Sequence, residues 1–293
     1  MSRSKIIAEP TVSVEYFPPR GLSAERALMT GAHALRRFEP AYQTVTFGAG
    51  DSATEGSFDW SVNLQKLNGV PTATHIALCH FTCDSLMQFA EDLWANDIKR
   101  LVVLRGDAGG DLAGFDNVAD AVSALKRLHN FDISVAAYPE VHPLAGSREA
   151  DIENLIAKQK AGADRAITQY FFNNADFYRF RDQAQSKGFQ REIVPGVIPI
   201  TNFERIKQFS EKCGAKVPEH FENLFAAAGD DKSRQTDVAR AIIEEQVQDL
   251  AQNGVTSLHI YSLNRVDLTA DAIRAFESEF DRDAATFRPA LVG

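Results

Sequence analysis

Short apolar runs alternate along the chain with longer stretches in which apolar residues recur every three or four positions. Runs such as LVVL at 101–104 and ISVAAY at 133–138 are continuously apolar, which is typical of strands buried on both faces of a parallel sheet. The predicted strands cover residues 12–17, 42–47, 74–80, 100–105, 133–138, 165–172, 193–198 and 257–263.

The stretches between these strands are amphipathic and predict helices. Ser23 and Asp84 are expected to cap two of them, because a short polar side chain can accept a hydrogen bond from a free backbone N–H of the first turn. Gly162 and the pair Asn253-Gly254 mark the ends of two others, since glycine readily adopts the left-handed conformation that terminates a helix.

Eight strand–helix units follow one another without a linker rich in Pro, Gly or Ser. This pattern predicts a single (β/α)8 domain, a TIM barrel, over residues 1–293, with irregular tails at 1–11 and 281–293. A doubly wound open sheet is the alternative. In a barrel, the functional side chains are expected at the C-terminal ends of the strands.

The composition limits the partners. Hydrophobic residues make up 44% of the chain, which suffices for a large core, and 40 acidic residues against 31 basic ones give a net charge of −9. An acidic surface argues against nucleic acid as the main partner, because phosphate binding needs a basic patch. A local basic pocket for a small anion remains compatible with this balance.

The sequence also predicts a soluble cytoplasmic protein. Its three cysteines indicate a reducing compartment rather than a disulfide framework. The first residues, MSRSKIIAEP, have no apolar core of a signal peptide, and no apolar run approaches the length of a membrane span.

Polar residues cluster where the predicted strands end, and a barrel would bring them to one mouth. Carboxylates, arginine and histidines in one concave site are candidates for acid–base chemistry and anion binding. These residues are Glu15, Thr46, His80, Arg105, Gly106, Asp107, Tyr138, Glu140, His142, Gln169, Asn264 and Arg265.

Each residue taken alone also has a purely structural interpretation. Glu15 taken alone is more typical of an ion-pair partner in a loop, and the Arg-Gly-Asp segment at 105–107 is equally compatible with a local salt bridge. His80 and Cys83 have the spacing of metal ligands, but zinc needs three or four, so no metal is predicted. His142 between Val141 and Pro143 is compatible with a hydrogen-bonded structural histidine.

Three common cofactor or catalytic motifs are missing from the sequence. It contains no G-x-G-x-x-G after the first strand, no G-x-x-x-x-G-K-[ST] and no G-x-S-x-G. A Rossmann NAD domain, a P-loop NTPase and a serine hydrolase of the nucleophile-elbow type are therefore disfavoured.

Eight segments together resemble the methylenetetrahydrofolate reductase family. They are VEYFPPR, TVTFGAG, HFTC, LRGD, AAYPEVHP, RAITQYFF, PGVIPITNF and HIYSLNR, and they span residues 12–265 in the order typical of that family. The resemblance implies a (β/α)8 barrel with non-covalent FAD that reduces 5,10-methylenetetrahydrofolate to 5-methyltetrahydrofolate with NADH or NADPH. The length is similar to the short bacterial type.

The resemblance assigns the chemistry to two carboxylates. Glu15 matches the general acid that protonates N10 of the folate, which leaves an N5 iminium able to accept hydride. A carboxyl group can do this near neutral pH only if its pKa is raised, as burial at a strand tip would do. Asp107 matches a carboxylate that contacts the pterin beside the flavin, and its charge should make the flavin harder to reduce.

The resemblance further implies a ping-pong reaction in which nicotinamide and folate share one pocket. Gln169, Phe209 and Arg265 match residues that bind these substrates, and Phe209 is the aromatic expected to stack on either of them. A homo-oligomer is also implied. No membrane partner is expected.

For FAD, the resemblance points to a set of residues that includes cations for phosphate or flavin charge. Asp151, Asn154 and Lys158 are spaced to share one helix face. The complete set is Thr46, Phe47, Ala49, His80, Arg105, Gly106, Asp107, Tyr138, His142, Ala145, Asp151, Asn154 and Lys158.

Several positions depart from the family pattern. Asn117-Val118 replaces a Tyr-Ala pair, the loop AGGDLAGF at 108–115 is unlike the usual one, Arg205 replaces a glutamine and Phe47 a tyrosine. The loop and Arg205 leave open a flavin barrel that acts on another one-carbon pterin. A folate- or flavin-binding protein without catalysis is the other alternative, against which Glu15, Asp107 and Gln169 argue.

Overall fold

The computed structural model describes residues 9–47, 53–106, 112 and 114–286, and only the backbone of 53–55 and 282–286. Its strands are β1 (Thr11–Tyr16), β2 (Tyr42–Val45), β3 (Thr72–Ala77), β4 (Arg100–Leu104), β5 (Asp132–Ala137), β6 (Arg165–Thr168), β7 (Glu192–Val194), β8 (Gly196–Val197) and β9 (Ser257–Tyr261). All neighbouring strands are parallel, in the order β7-β6-β5-β4-β3-β2-β1-β9-β8.

The two ends of this sheet belong to one interrupted strand. β7 pairs with β6 and β8 pairs with β9, and only Pro195 lies between β7 and β8. The Pro195 carbonyl accepts a hydrogen bond from the backbone N–H of His259 on β9 (3.0 Å). Proline has no N–H to donate, so the strand changes partner at this residue. The ring therefore closes with eight strands, and the predicted (β/α)8 barrel is confirmed.

Helices follow the strands and cover the outside of the barrel. They are α1 (Leu22–Leu35), α2 (Ala53–Asn68), α3 (Cys83–Ala95), α4 (Val118–Leu128), α5 (Arg148–Lys160), α6 (Asn174–Ser186), α7 (Phe203–Cys213), α8 (Glu219–Ala228), α9 (Lys232–Gln252) and α10 (Val266–Thr286). The unit that follows β8 carries three of these helices, α7 to α9. None of the helices in the described ranges has the length and apolar character needed to cross a bilayer.

Alternation along each strand separates two cores. On β1, Val12 and Val14 face the helices and belong to the large outer core, whereas Ser13 and Glu15 face the barrel axis. A smaller apolar layer fills the axis, formed by Tyr42, Ala73, Val102, Ile167 and Val194. Side chains rather than a channel thus occupy the middle of the barrel.

An ion network lies at the N-terminal end of the barrel, opposite the expected site. Asp132 at the start of β5 pairs with Arg100 of β4 (2.8 Å) and Arg165 of β6 (2.5 Å). Both guanidinium groups lie over the ring of Tyr42, at 5.1 and 5.6 Å from its centroid. This network occupies the barrel axis at the N-terminal end, whereas the predicted functional side chains lie at the C-terminal mouth.

Several predicted boundaries are wrong. The N-caps of α1 and α3 are Gly21 and Thr82 rather than Ser23 and Asp84, and the Thr82 hydroxyl accepts from the N–H of the third helical residue, as a cap should. α10 continues to Thr286, so the tail expected from 281 is helical as far as that residue.

Candidate active site at the C-terminal mouth

Glu15 lies near the C-terminal end of β1 with its side chain inside the barrel. It is only 6% exposed. Burial raises the pKa of its carboxyl group from 4.5 to about 7, because a charge in a low-dielectric interior loses its hydration, and His75 partly opposes this shift. The carboxyl is therefore divided between its acid and its ionised form at neutral pH.

Two buried histidines approach the same oxygen of Glu15. His259 Nε2 on β9 and His75 Nε2 on β3 each lie 3.4 Å from Glu15 Oε2. Burial lowers the pKa of His75 to about 4 and that of His259 to about 3. Both imidazoles are therefore neutral at pH 7, and the titrating proton of this cluster belongs mainly to Glu15.

The two histidines differ in their other contacts. His259 Nδ1 lies 2.8 Å from the hydroxyl of Ser13, which also lies 3.2 Å from the Leu258 carbonyl. His75 Nε2 is buried without a hydrogen-bond partner among the described residues, since its contact with Glu15 lacks hydrogen-bond geometry. Ser13 thus orients His259. For His75, no hydrogen bond of Nε2 within the described residues determines which ring nitrogen carries the proton.

The loop after β9 holds the tip of β1 in place. The Asn264 side chain accepts from the Phe17 N–H (2.9 Å) and donates to the Phe17 carbonyl (3.1 Å). The Ser262 hydroxyl donates to the carbonyl of Glu15. Leu263 and Asn264 have φ values of 49° and 55°, in the left-handed region, so this clamp is built on strained backbone. Together with Pro18 and Pro19 it fixes the chain beyond the carboxyl group.

The loop after β5 and helix α5 place several of the predicted cofactor residues near one another. The Asp151 carboxylate accepts from the His142 N–H (3.0 Å), and the edge of the Tyr138 ring packs against His142 with centroids 4.4 Å apart. Burial lowers the pKa of His142, and nearby Lys158 and Arg105 favour the same direction. Two cations, Lys158 and Arg105, thus lie in the neighbourhood of His142, and their charge suits an anionic group.

Lys158 is the most buried of these cations. It is 8% exposed, and its Nζ donates to the carbonyl of Ala136 on β5 (3.2 Å). Desolvation lowers its pKa to about 8, while Asp151 opposes the shift. Asp151, about two turns earlier on α5, therefore faces the same region, as their spacing predicts.

The ends of β2 and β3 contribute a second group. The rings of Phe47 and His80 stack with centroids 5.1 Å apart, and Thr46 Oγ1 is buried with no hydrogen-bond partner in the described part of the chain. The prediction that His80 ends β3 is wrong. His80 lies in a 3-10 turn at Leu78–His80, and its side chain is exposed. Gly106 has φ 95°, and a Cβ there would lie 2.2 Å from Cys79 Sγ, so the chain passes too close for a larger residue.

The expected substrate residues line the wall beyond β6. Gln169 follows the last residue of β6, where its side-chain oxygen accepts from the Tyr170 N–H (3.0 Å). Phe209 on α7 is 50% exposed and stacks on Tyr170 with centroids 6.0 Å apart. A small cavity lies between this wall and the loop after β5, with Gln169, Tyr138 and Cys213 among its lining residues.

The remaining predicted residues lie at the surface or outside the described ranges. Arg265 at the start of α10 and Asn154 on α5 are exposed, and Ala145 is half-buried with its N–H donating to the His142 carbonyl (2.8 Å). Ala49 and Asp107 lie outside the described residues. The described residues contain no cluster of three or more acidic, His or Cys side chains that could hold a metal ion.

Sequence reasoning missed Ser13, His75 and His259. Each lies inside a strand rather than at its end, and so falls outside a search of strand tips. The detectable signal was a polar residue that alternates with apolar neighbours, as in Val12-Ser13-Val14 and Leu258-His259-Ile260. In a barrel, such residues face the axis, while their apolar neighbours on the same strand pack against the helices outside.

Comparisons with known proteins agree with this geometry. The profile of the family described as methylenetetrahydrofolate reductase matches residues 2–276. The chain is 36% identical over 269 residues to the 5,10-methylenetetrahydrofolate reductase of Escherichia coli (strain K12), covering 92% of this chain and 91% of that protein. It is 37% identical over 259 residues to the enzyme of the same name from Pectobacterium carotovorum subsp. carotovorum, covering 88% and 87%.

A solved structure shares the fold. An uncharacterized protein from Clostridium thermocellum that binds two copies of 5-methyl-5,6,7,8-tetrahydrofolic acid superposes with a TM-score of 0.63 at 15% identity, covering 94% of this chain and 96% of that one. The barrel, the buried acid at its mouth and the nearly full-length sequence match lead to one conclusion: this chain belongs to the methylenetetrahydrofolate reductase family.

Proposed function

We propose that this protein reduces 5,10-methylenetetrahydrofolate to 5-methyltetrahydrofolate, with FAD as cofactor and NADH or NADPH as the electron donor. The observation that carries the proposal is the buried Glu15 carboxyl group, whose pKa is raised to about 7 at the mouth of the barrel. The names of the bacterial relatives support the same reaction.

The proposed reaction needs an acid before hydride can be accepted. Protonation of N10 breaks the C–N10 bond of the five-membered ring, and the electron pair of N5 forms an iminium with the one-carbon unit. At pH 7 about half of the Glu15 population carries the required proton, against about 0.3% for a carboxyl with its ordinary pKa of 4.5. Burial thus raises the supply of acid by about two orders of magnitude.

His259 and Ser13 act as positioning residues for this acid. When the Ser13 hydroxyl donates to the Leu258 carbonyl, it accepts from His259 Nδ1–H, and Nε2 is then free to accept from protonated Glu15. When Ser13 donates to Nδ1 instead, Nε2–H faces the carboxylate that remains after proton transfer. The same three side chains therefore accommodate both charge states of Glu15.

The described residues fit FAD. The orphaned Thr46 hydroxyl needs a hydrogen-bond partner, and the basic groups Arg105 and Lys158 suit phosphate or flavin charge. His142, Asp151 and Tyr138 would hold the cofactor with them, together with the further residues of the predicted set. When bound, FAD would relay hydride between the nicotinamide and the folate.

Gln169, Phe209 and Arg265 would bind folate and nicotinamide in one pocket. The ring of Phe209 stacks on Tyr170 and is half exposed, which supports stacking on either substrate. Asp107 would contact the pterin. A cytoplasmic location and a homo-oligomeric state remain predictions from the sequence.

The half-reactions of Glu15→Gln test the proposal. The variant should still bleach its flavin with NADH or NADPH at close to the wild-type rate, because that step needs no acid at N10. Reduction of methylenetetrahydrofolate should fall by at least ~100-fold. Glu25→Gln on α1 is the control and should leave both steps unchanged. Equal loss of both half-reactions would contradict the acid assignment.

The wild-type protein separates the alternatives. Turnover of methylenetetrahydrofolate with either nicotinamide is the expected result. A protein that purifies with flavin and is bleached by nicotinamide, but leaves this folate unchanged, would favour a different one-carbon pterin. A protein that binds folate without any turnover would be a binding protein instead.

A further inference from the structure

Glu15 is approached by two histidines, and only one of them is explained by a hydrogen-bond network. His259 is oriented by Ser13, whereas His75 buries Nε2 beside the carboxyl group without a hydrogen-bond partner among the described residues. His75 is 6% exposed, so its ring has lost most of its hydration. An unsatisfied buried nitrogen is costly, which calls for a functional explanation.

We propose that His75 is a positioning residue that sets the proton occupancy of Glu15 through its contact with Oε2. This inference rests on the proposed function, in which Glu15 is the acid. His75 Nε2 and Glu15 Oε2 are 3.4 Å apart in an interior where electrostatic interactions are weakly screened. In the tautomer of neutral His75 that carries its proton on Nε2, the positive end of the N–H dipole would lie beside this oxygen and favour the carboxylate over the neutral acid. His75 therefore opposes the desolvation that favours the neutral acid.

The surroundings of Glu15 make His75 the group best placed for this effect. Among the described residues of the strands packed around it, β9 presents His259 and Tyr261, and β3 presents His75. The register partner on β2 is Thr44, which does not titrate. Tyr261 donates its hydroxyl to the Thr168 carbonyl (2.7 Å), so that dipole is directed away from Glu15.

The consequence is a balance that suits an acid used once per turnover. Desolvation favours the neutral acid and so makes it a weaker proton donor, whereas a cationic neighbour would favour the carboxylate. His75 is neutral at pH 7, since its pKa is about 4, and it supplies an intermediate stabilisation of the carboxylate.

The test compares the pH dependence of folate reduction in His75→Leu, His75→Gln and wild type. The alkaline limb of the single-turnover rate should move upward by at least ~0.5 unit in His75→Leu, and less in His75→Gln, which keeps an N–H dipole. At pH 8.5 such a shift leaves about threefold more protonated acid than in wild type. Thr74→Val is the control: it removes a hydroxyl from the neighbouring buried residue of β3 and should leave the limb unchanged.

A direct titration avoids dependence on activity. Carbon-13 NMR of Glu-labelled protein, with Glu15 assigned from Glu15→Gln, should show the carboxyl titrating at higher pH in both His75 variants. In wild type, nitrogen-15 NMR of His75 should show a step at the pH where Glu15 titrates. The inference would be overturned if Glu15 titrated at the same pH in the His75 variants as in wild type. It would also be overturned if the nitrogen-15 signal of His75 showed no step at the pH where Glu15 titrates. If the titrations couple but folate is never reduced, the coupling stands and the proposed function fails.

Discussion

Replacing the Glu15 carboxyl by an amide should stabilise the protein in a pH-dependent manner. Glu15→Gln preserves the shape of the side chain and removes its charge. The wild-type carboxyl has a pKa of about 7 in the folded protein and an ordinary value of 4.5 in the unfolded chain. Between these values the unfolded state releases a proton that the folded state retains, so folding of the wild type is progressively disfavoured as the pH rises.

The size of the effect follows from the shift. A difference of about 2.5 pKa units corresponds to about 3 kcal/mol at 1.36 kcal/mol per unit. Relative to Glu15→Gln, the unfolding free energy of the wild type should fall by roughly this amount between pH 4.5 and 7 and then level off. Folded His75 and His259 titrate at about 4 and about 3, below this window. Their unfolded forms titrate alike in both proteins and cancel from the difference.

Urea denaturation of both proteins at several pH values from 4.5 to 8.5, at one flavin concentration, measures this difference. The gap between the two unfolding free energies should widen with pH and reach its plateau above pH 7. Glu25→Gln, an acidic residue of the first turn of α1, controls for loss of a carboxylate as such. A gap that stays constant across the whole range would show that Glu15 does not titrate near neutrality and would refute the reasoning.

Three further predictions concern other parts of the molecule. Asp107→Asn should raise the flavin reduction potential and weaken folate turnover, because it removes a negative charge expected beside the flavin; an unchanged potential in a spectroelectrochemical titration would reject this. Gly196→Ala should lower the free energy of unfolding by ~1–3 kcal/mol in urea denaturation, because its Cβ would lie 2.3 Å from the Thr168 carbonyl oxygen. Gly146→Ala is the control. The space around its Cβ is open, so its free energy of unfolding should change little. Lys158→Met should weaken FAD binding. The affinity of the wild type for FAD should also fall as the pH rises through about 8, where Lys158 loses its charge. Equilibrium dialysis against FAD measures both effects, and Lys160→Met is the control.

The periodicity of the sequence determined the architecture because it depends only on local patterning. Continuous apolar strands need cover on both faces, and eight strand–helix units provide it by closing into a barrel. The same logic located Glu15 at a C-terminal strand end and placed Asp151 and Lys158 on one face of a helix. Boundaries were less predictable: β3 ends at Ala77 rather than at His80, because a 3-10 turn follows it and no motif in the sequence announced that turn.

The acid itself required the tertiary structure. Glu15 and His259 are 244 positions apart, and His75 comes from a third strand, so only closure of the barrel brings the three side chains to one point. The raised pKa has the same origin, since it depends on how much water the surrounding strands exclude from the carboxyl group. The sequence thus determined which strands form and which tip carries a carboxylate. Its protonation state was decided by long-range packing, because electrostatic energies inside a protein depend on distance and burial rather than on sequence order.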